Sequence, residues 1–337
     1  MDHRPGPARA VTINDVARVA GVSVGTVSKA VNGRGQLRPE TRGRVLAAAE
    51  RLGYAAAPAR AAVSARSYSV GLITGDNFGR FSLPVLLGAE DALGAGEISV
   101  FLCDSRDDPI REQHYVRTLL ARRVDGFLVT SRLTDARPPL AGTGDTPVVY
   151  AMSFCTDESS CAVVPDDRSG GRLAVEHLLA SGRRRIAHVT GPAHHRSATA
   201  RLEGAAGVLA DAGLVPVATS ICHGAWSEQW GRQAARRLLA SAPLPDAVFC
   251  GSDQIARGLV EGLQAAGTRV PDDVAVVGYD NWDVIATGRR PLLSTVDPNT
   301  NALGRSAARH LLDAIDGRPH EGVDLVAPTL VLRETTD

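Results

Sequence analysis

The sequence predicts a small all-α helix-turn-helix headpiece followed by a larger α/β body, and three observations support this division. Residues 1–66 carry 11 Lys and Arg against four Asp and Glu, whereas the remaining residues carry 26 against 33. The net charge of zero therefore conceals a basic head and an acidic body. The head is filled by short helical segments with one apolar face. From Ser69 onward, strand-length apolar runs alternate with helical stretches, which is typical of parallel sheets covered on both faces.

The composition excludes several classes of protein. With 337 residues, 44% of them hydrophobic, the chain has enough apolar residues for two or three packed domains. No run of about 18 apolar residues occurs, so no membrane span is expected. The first residues lack the apolar stretch of a secretory signal, and the five cysteines are scattered along the chain. We therefore expect a cytoplasmic protein.

Two short helices joined by a tight turn are predicted near the start. Thr12 can cap a first helix that ends at Gly21, with Asp15 in the reciprocal place of a capping box. Ser23 can cap a second helix that ends near Val31. In a helix-turn-helix the second helix lies in the DNA major groove, and the basic charge of the head favours a polyanionic partner. A small structural bundle would show the same periodicity.

A third helix is predicted from Pro39 to Leu52. Its expected apolar stripe consists of Val45, Leu46, Ala49 and Leu52. Taken together, the run VTINDVARVAGVSVGTVSKAVNG and the following RPETRGRVLAAAERLGY resemble the DNA-binding headpiece of LacI/GalR-family transcription regulators. The family's Asp-Val-Ala helix, Ala-Gly-Val-Ser turn, Thr-Val-Ser recognition helix and Leu-Gly-Tyr close are present nearly whole over about forty residues.

The resemblance implies a set of DNA-contacting residues. The base-facing residues of the recognition helix become Val24, Gly25 and Lys29, and the phosphate-contacting candidates become Thr12, Ser23, Thr26, Ser28, Thr41 and Tyr54. Lys29, the only lysine of the chain, can donate to guanine, and Val24 can touch a thymine methyl or instead pack on the first helix. Gly25 offers no side chain where the family commonly has one, so direct base readout is expected to be thin.

Residues 56–68 form an alanine-rich connector. The resemblance implies a hinge helix there that forms on operator DNA and places apolar wedges in the central minor-groove step. Val63 falls at the wedge position, and Arg60 becomes a candidate for contact with the DNA backbone. A plain flexible linker is the alternative.

The body resembles the effector domain of the same family, which is similar in fold to periplasmic sugar-binding proteins. Eight strands are predicted, at residues 70–74, 98–102, 126–129, 148–150, 162–164, 186–190, 247–250 and 274–277. The implied organisation is a DNA-binding domain at 10–55, the hinge at 56–68, and an effector and dimerisation domain at 69–335. Within the last, the N-subdomain spans 69–163 and 295–322, and the C-subdomain spans 164–294 and 323–335.

A ligand cleft between the two subdomains is implied as well. Asp280 can accept hydrogen bonds from vicinal hydroxyls, Arg201 can donate a fork, and Trp226 can stack on a sugar ring. The set is completed by Phe81, Ser82, Ser252 and Met152. Weaker candidates are Asp76, Asp253 and Asn281. The loop that carries His194 and His195 either contacts the ligand or is solvated. Many relatives place a carboxylate where Met152 falls, so an unusual, more apolar wall is expected.

These observations predict a repressor that binds a palindromic operator as a homodimer under the control of a small-molecule effector, most simply a sugar. A non-regulatory solute-binding protein of the same body fold is the first alternative. An enzyme is the second, but no activated nucleophile, G-x-G-x-x-G loop, P-loop or Cys/His metal spacing is found, so no catalytic residue, cofactor or metal is expected.

Overall fold

The computed structural model describes residues 11–31, 37–52, 54, 68–76, 79–93, 98–214 and 221–336. The chain divides into two compact units, residues 1–66 and residues 67–337. None of the helices in the described ranges is both long and apolar enough to cross a lipid bilayer.

In the part of the first unit that the structure describes, three helices form a bundle: α1 (Ile13–Ala20), α2 (Val24–Val31) and α3 (Pro39–Arg51). Its core is made of small apolar side chains that the three helices share. The buried members are Val16, Ala17, Ala20, Val27, Ala30, Val45, Ala48 and Ala49.

The turn between α1 and α2 is fixed by local hydrogen bonds. Gly21 ends α1 in the left-handed conformation, with φ 66°, which glycine adopts without steric cost. The carboxylate of Asp15 accepts hydrogen bonds from the Thr12 backbone N–H (3.0 Å) and hydroxyl (2.6 Å), which is the reciprocal arm of the expected capping box. At the start of α2, the Ser23 hydroxyl oxygen accepts the Thr26 N–H at 3.2 Å.

The apolar stripe of α3 differs from the expected one at two positions, Leu46 and Ala48. Leu46 is 47% exposed, whereas Val45, Ala48 and Ala49 are buried. The buried set follows the i, i+3, i+4 spacing of one helix face, and Leu46 lies about 100° away from Val45 on the same turn. The prediction for Leu46 was wrong because Leu46 lies outside the arc of helix surface that Val45, Ala48 and Ala49 occupy.

The described residues of the second unit form twelve strands and eight helices. The strands are β1 (Tyr68–Thr74), β2 (Ile98–Asp104), β3 (Gly126–Thr130), β4 (Val148–Ala151), β5 (Cys161–Pro165), β6 (Ile186–Thr190), β7 (Ile221–His223), β8 (Ala247–Cys250), β9 (Ala275–Tyr279), β10 (Ser294–Asp297), β11 (Gly322–Val326) and β12 (Thr329–Val331). The helices are α4 (Ser82–Leu93), α5 (Pro109–Ala121), α6 (Asp167–Ala180), α7 (Arg196–Asp211), α8 (Glu228–Leu239), α9 (Asp253–Ala265), α10 (Asp283–Ala286) and α11 (Thr300–Ile315).

These strands form two six-stranded sheets, one in each lobe of the body. The first lobe has the strand order β11-β5-β4-β3-β1-β2, and the second lobe has the order β12-β10-β9-β8-β6-β7. All pairings are parallel except that of β10 with β12. The helical head and the two parallel α/β lobes confirm the expected fold class.

The chain passes between the lobes three times, after β5, after β10 and after β11. Residues 294–297 thus lie in the second sheet and residues 322–326 in the first, so the chain crosses a few residues later than the boundaries expected at 163, 295 and 323. Three segments of the chain therefore connect the two lobes.

Three helix pairs in the body cross at mutual glycines. At the α6–α7 crossing, a Cβ on Gly204 would lie 1.9 Å from the Arg168 carbonyl oxygen, and one on Gly171 would lie 2.1 Å from the Arg201 carbonyl oxygen. Any side chain at either position would push the helix backbones apart. The same reciprocal arrangement joins α4 to α11 through Gly88 and Gly304, and α8 to α9 through Gly231 and Gly258.

Candidate functional site

A cavity of about 300 Å³ lies between the two lobes of the body. Its walls are residues that follow the carboxyl ends of strands in both sheets, where open parallel sheets bind their ligands. The side chains that line it are Asp76, Arg80, Phe81, Arg132, Leu133, His195, Ser197, Arg201, Trp226, Ser252, Gln254, Asp280 and Trp282.

Asp280 reaches the cavity through an uncommon backbone geometry. It follows β9 with φ 109°, and Asn281 has φ 46°, both in the region that side chains other than glycine rarely adopt. Burial raises the pKa of the Asp280 carboxyl, although Arg80 and Arg201 oppose the shift. Strained backbone that aims a buried carboxylate into a cleft is a frequent feature of functional sites.

A second buried carboxylate stands behind the first. Asp253, at the start of α9, accepts hydrogen bonds from the Thr295 hydroxyl at 2.6 Å and from the Trp282 backbone N–H at 2.8 Å. Burial and the neighbouring charge of Asp280 raise its pKa to about 7. Asp253 therefore holds the loop that carries Asp280 and Trp282, and it does not line the cavity.

Arg201 is held rigidly from the side of the second lobe. Its guanidinium donates to Asp167 at 2.9 Å and to the Gly251 carbonyl oxygen at 2.5 Å, and it lies 3.6 Å above the centre of the Tyr279 ring. Burial is the largest single influence and lowers the pKa of Arg201, but the charges of Asp167, Tyr279 and Asp280 and the hydrogen bond to Asp167 together raise it. Arg201 is thus a fixed, permanently charged donor at the cavity wall.

Trp226 forms an aromatic wall that a hydrogen bond orients. The indole N–H donates to Nδ1 of His195 at 2.8 Å, so the His195 ring accepts there and must be neutral. Burial lowers the pKa of His195, which keeps the ring neutral at physiological pH. On the other side, a Cβ on Gly191 would lie 2.1 Å from the indole ring, so only glycine lets Trp226 occupy this place.

Arg80 connects the two lobes across the cavity. From the first lobe, its guanidinium pairs with the Asp280 carboxylate and donates to the Gln254 side-chain oxygen at 3.1 Å, both in the second lobe. The guanidinium also lies 4.8 Å from the ring centre of Phe81 and 4.7 Å from that of Trp282. Its side chain is 13% exposed, so this contact is largely shielded from water.

Five of the seven expected ligand-binding residues line the cavity: Phe81, Arg201, Trp226, Ser252 and Asp280. The loop residue His195 also lines it. The main residues that the sequence missed are Arg80 and Trp282. Both stand next to an expected residue, but nothing in their local sequence signals that they meet across the cleft.

Two expected residues lie elsewhere. Met152 is 4% exposed and packs in the core of the first lobe, because a left-handed backbone (φ 69°) after β4 turns it away from the cavity. The expectation of an apolar wall at Met152 was therefore wrong. Ser82 is buried at the start of α4, where its N–H donates to Asp76 at 3.0 Å. The same Asp76 oxygen accepts the Phe81 N–H at 2.7 Å, so Asp76 and Ser82 build the helix start beside the cavity.

The head presents the expected base-facing residues on one helix. Val24, Gly25 and Lys29 are all exposed on α2, and Val24, at 41% exposure, does not pack into the core. The candidates for phosphate contact are partly or fully exposed: Thr12, Ser23, Thr26, Ser28, Thr41 and Tyr54. Arg60 and Val63, with the hinge helix expected around them, lie outside the described residues.

Gly25 has room for a side chain. A Cβ there would meet only the Ser23 hydroxyl oxygen, at an ordinary distance of 3.9 Å. Because Gly is the poorer helix former by about 1 kcal/mol, Gly25→Ala is expected to stabilise the three-helix head by up to about that amount. Thermal unfolding of an isolated 1–66 fragment, followed by circular dichroism, would measure the gain. A loss of stability would show that α2 is not helical at Gly25.

Comparison with known proteins distinguishes among the functions open to such a fold. The family described as "Bacterial regulatory proteins, lacI family" matches residues 12–56, and "Periplasmic binding protein-like domain" matches residues 175–336. The HTH-type transcriptional regulator CelR of Thermobifida fusca is 35% identical over 99% of this chain and 100% of its own length. The chain belongs to the lacI family of bacterial regulatory proteins.

Other relatives agree with this assignment to the family. Catabolite control protein A of Priestia megaterium is 33% identical over 86% of this chain and 88% of its own. Among solved structures, a CelR–cellobiose complex matches with a TM-score of 0.68 and 31% identity, covering 96% of this chain and 99% of that one. A lac repressor dimer bound to operator and the anti-inducer ONPF matches with a TM-score of 0.66 and 28% identity, covering 97% and 99%.

The lacI-family protein described here is therefore a sequence-specific DNA-binding transcriptional regulator. The resemblance inferred from the head and body motifs is confirmed. A solute-binding protein without a regulatory role is not favoured, because the headpiece match and the regulators that match along nearly the whole chain both oppose it. The relatives are named as a transcriptional regulator and a catabolite control protein.

Proposed function

We propose that this regulator is a repressor that binds a palindromic operator as a homodimer and whose grip on DNA is set by a sugar in the cleft of the body. The proposal rests on one observation: the same lacI-family chain has both an exposed recognition helix and a cavity between the lobes of its body. The lac repressor structure, which is a dimer bound to operator, supports the proposed assembly. A dimer also matches the two-fold symmetry of a palindrome.

The chemistry of the cavity favours a sugar of one or two rings. Trp226 offers an aromatic face, Arg201 a fixed donor and Asp280 a buried acceptor, which together suit the apolar face and the hydroxyls of a pyranose. A volume of about 300 Å³ is at the small end of ligand pockets. Because the matching CelR structure holds cellobiose, cellobiose is the first compound to test.

A ligand that contacts both lobes stabilises one angle of closure between them. The cavity takes Phe81 from the first lobe and Trp226 and Asp280 from the second, so a bound sugar would bridge the lobes. A ligand shifts the equilibrium between two closure angles only by its difference in affinity for them. We propose that this difference is transmitted to the heads and alters operator affinity.

The operator is best found by selection from random inverted repeats with the full-length protein. The selected duplex is expected to bind at least about 1000-fold more tightly than random DNA at physiological salt. If no inverted repeat is preferred over random duplex, with or without the sugars, the proposed function is wrong.

Lys29→Ala is expected to weaken binding to the selected operator by about 10- to 100-fold, because Lys29 is exposed on α2 and can donate to guanine. Binding to random DNA should change much less, so discrimination falls. Arg44→Ala, an equal loss of charge at an exposed site on α3, serves as the control. If Lys29→Ala weakens operator and random DNA equally and lowers the salt dependence by about one charge, Lys29 contacts phosphate and not bases.

A further inference from the structure

Two histidines and an aspartate meet at the outer edge of the first lobe. His310 lies on α11, His320 follows it in the loop before β11, and Asp324 lies on β11, the edge strand of the sheet. Nε2 of His310 is 2.6 Å from one oxygen of Asp324, and Nε2 of His320 is 3.2 Å from the other. The imidazole rings are stacked, with their centres 4.4 Å apart and an angle of 15° between their planes.

This arrangement gathers three ligand atoms at one point. One atom from each side chain lies within 4.8 Å of the other two. Around a tetrahedral ion with bonds of about 2.0–2.1 Å, ligand atoms are about 3.4 Å apart, so the three atoms already lie near the spacing that such an ion requires. Two neutral imidazoles and one carboxylate form a donor set that suits zinc and related transition-metal ions.

The backbone that carries these side chains is already fixed. Asp324 pairs in register with Val163 of β5, and α11 packs along β4 and β5 and against α4. His310 and Asp324 are partly exposed and His320 is exposed, which leaves an ion access and room for water in the fourth position. Unlike small zinc domains, this region does not need the metal in order to fold, because β11 pairs with β5 and α11 packs on the sheet.

We infer that His310, His320 and Asp324 form a binding site for a divalent transition-metal ion of the zinc class. The three residues are separated by nine and three intervening residues and lie on different elements, so no metal-binding motif is visible in the sequence. Since His320 is in the loop and His310 on the helix, the ion ties the loop after α11 and the edge strand β11 to the body of the first lobe. This role does not depend on the nature of the DNA or the sugar.

The inference is tested with full-length protein that carries no histidine tag. Zn²⁺ is titrated in competition with a chromophoric chelator, and Co²⁺ binding is followed by its visible absorption bands, which report coordination number. Wild type is expected to bind one Zn²⁺ with micromolar or tighter affinity and to melt at a higher temperature with Zn²⁺ than with a chelator. A Co²⁺ spectrum of four or five coordination is expected.

Variants separate this site from adventitious binding. His320→Ala and Asp324→Asn should each lower Zn²⁺ affinity at least about tenfold and remove the rise in melting temperature. His114→Ala, at an exposed histidine on α5, is the control and should behave as wild type. Melting in chelator shows that each variant is folded. If wild type and His320→Ala bind Zn²⁺ equally, or if Co²⁺ remains six-coordinate as in water, the inference is overturned.

Discussion

Arg201→Met is expected to lower the free energy of unfolding of the body by about 3–5 kcal/mol. Arg201 and Asp167 are both buried, and the guanidinium bridges Asp167 and the carbonyl oxygen of Gly251. Methionine fills most of the volume but leaves the Asp167 carboxylate buried without its counter-charge. Breaking one partner of a buried ion pair costs far more than the pair itself contributes.

A second ion pair between the same two helices provides the control. Arg168 of α6 pairs with Glu203 of α7 at the surface, where both side chains are largely exposed. Arg168→Met should therefore change stability by only about 0–1 kcal/mol. Urea unfolding followed by tryptophan fluorescence measures both variants. Equal losses for Arg201→Met and Arg168→Met would show that the Arg201–Asp167 pair is not buried in the folded protein.

The structural role of Arg201 affects the interpretation of variants designed to test ligand binding. Because Arg201 holds Asp167 and the strand end at Gly251, a loss of sugar binding in an Arg201 variant does not by itself identify a ligand contact. Its stability has to be measured first.

Much of the fold could be predicted from the local periodicity of apolar residues. The three helices of the head and eight strands of the body have the right type because each has a clear apolar pattern and a capping or turn residue at its ends. The strands that were missed, β7, β10, β11 and β12, are short and lie at or next to sheet edges, and β11 alternates between half-buried and exposed residues. Their pairing depends on partners far along the chain, which periodicity does not reveal.

The site residues that belong to family motifs could be predicted from the sequence. Those whose position depends on the three-dimensional course of the backbone could not. Trp226, Arg201 and Asp280 sit in family motifs, and all three line the cavity. The prediction of an apolar wall at Met152 was wrong because the backbone is left-handed at that residue, and no neighbouring residue in the sequence indicates this. Arg80 was missed because its role depends on meeting Asp280, 200 residues further along the chain.

Asp280→Asn is expected to lower the affinity for the sugar by about 100-fold or more. A carboxylate that accepts two hydroxyl hydrogen bonds contributes about 1.5–3 kcal/mol for each, and an amide replaces one acceptor oxygen by a donor. Calorimetry with the best sugar from a thermal-shift screen, beginning with cellobiose, measures the change. The variant protein should keep its operator affinity but remain on the operator at sugar concentrations that release wild type.

This substitution is expected to cost less stability than Arg201→Met, because the amide oxygen can still accept from Arg80, which Gln254 and two aromatic rings also hold. Burial raises the pKa of Asp280, so the folded protein resists its charge, and a neutral isosteric amide removes that cost while it loses the ion pair with Arg80. Asp283→Asn, the same chemical change at an exposed position three residues on, is the matched control and should leave sugar binding unchanged. If Asp280→Asn binds the sugar as wild type does while melting at a similar temperature, the sugar does not contact Asp280, and the ligand must lie elsewhere in the cavity.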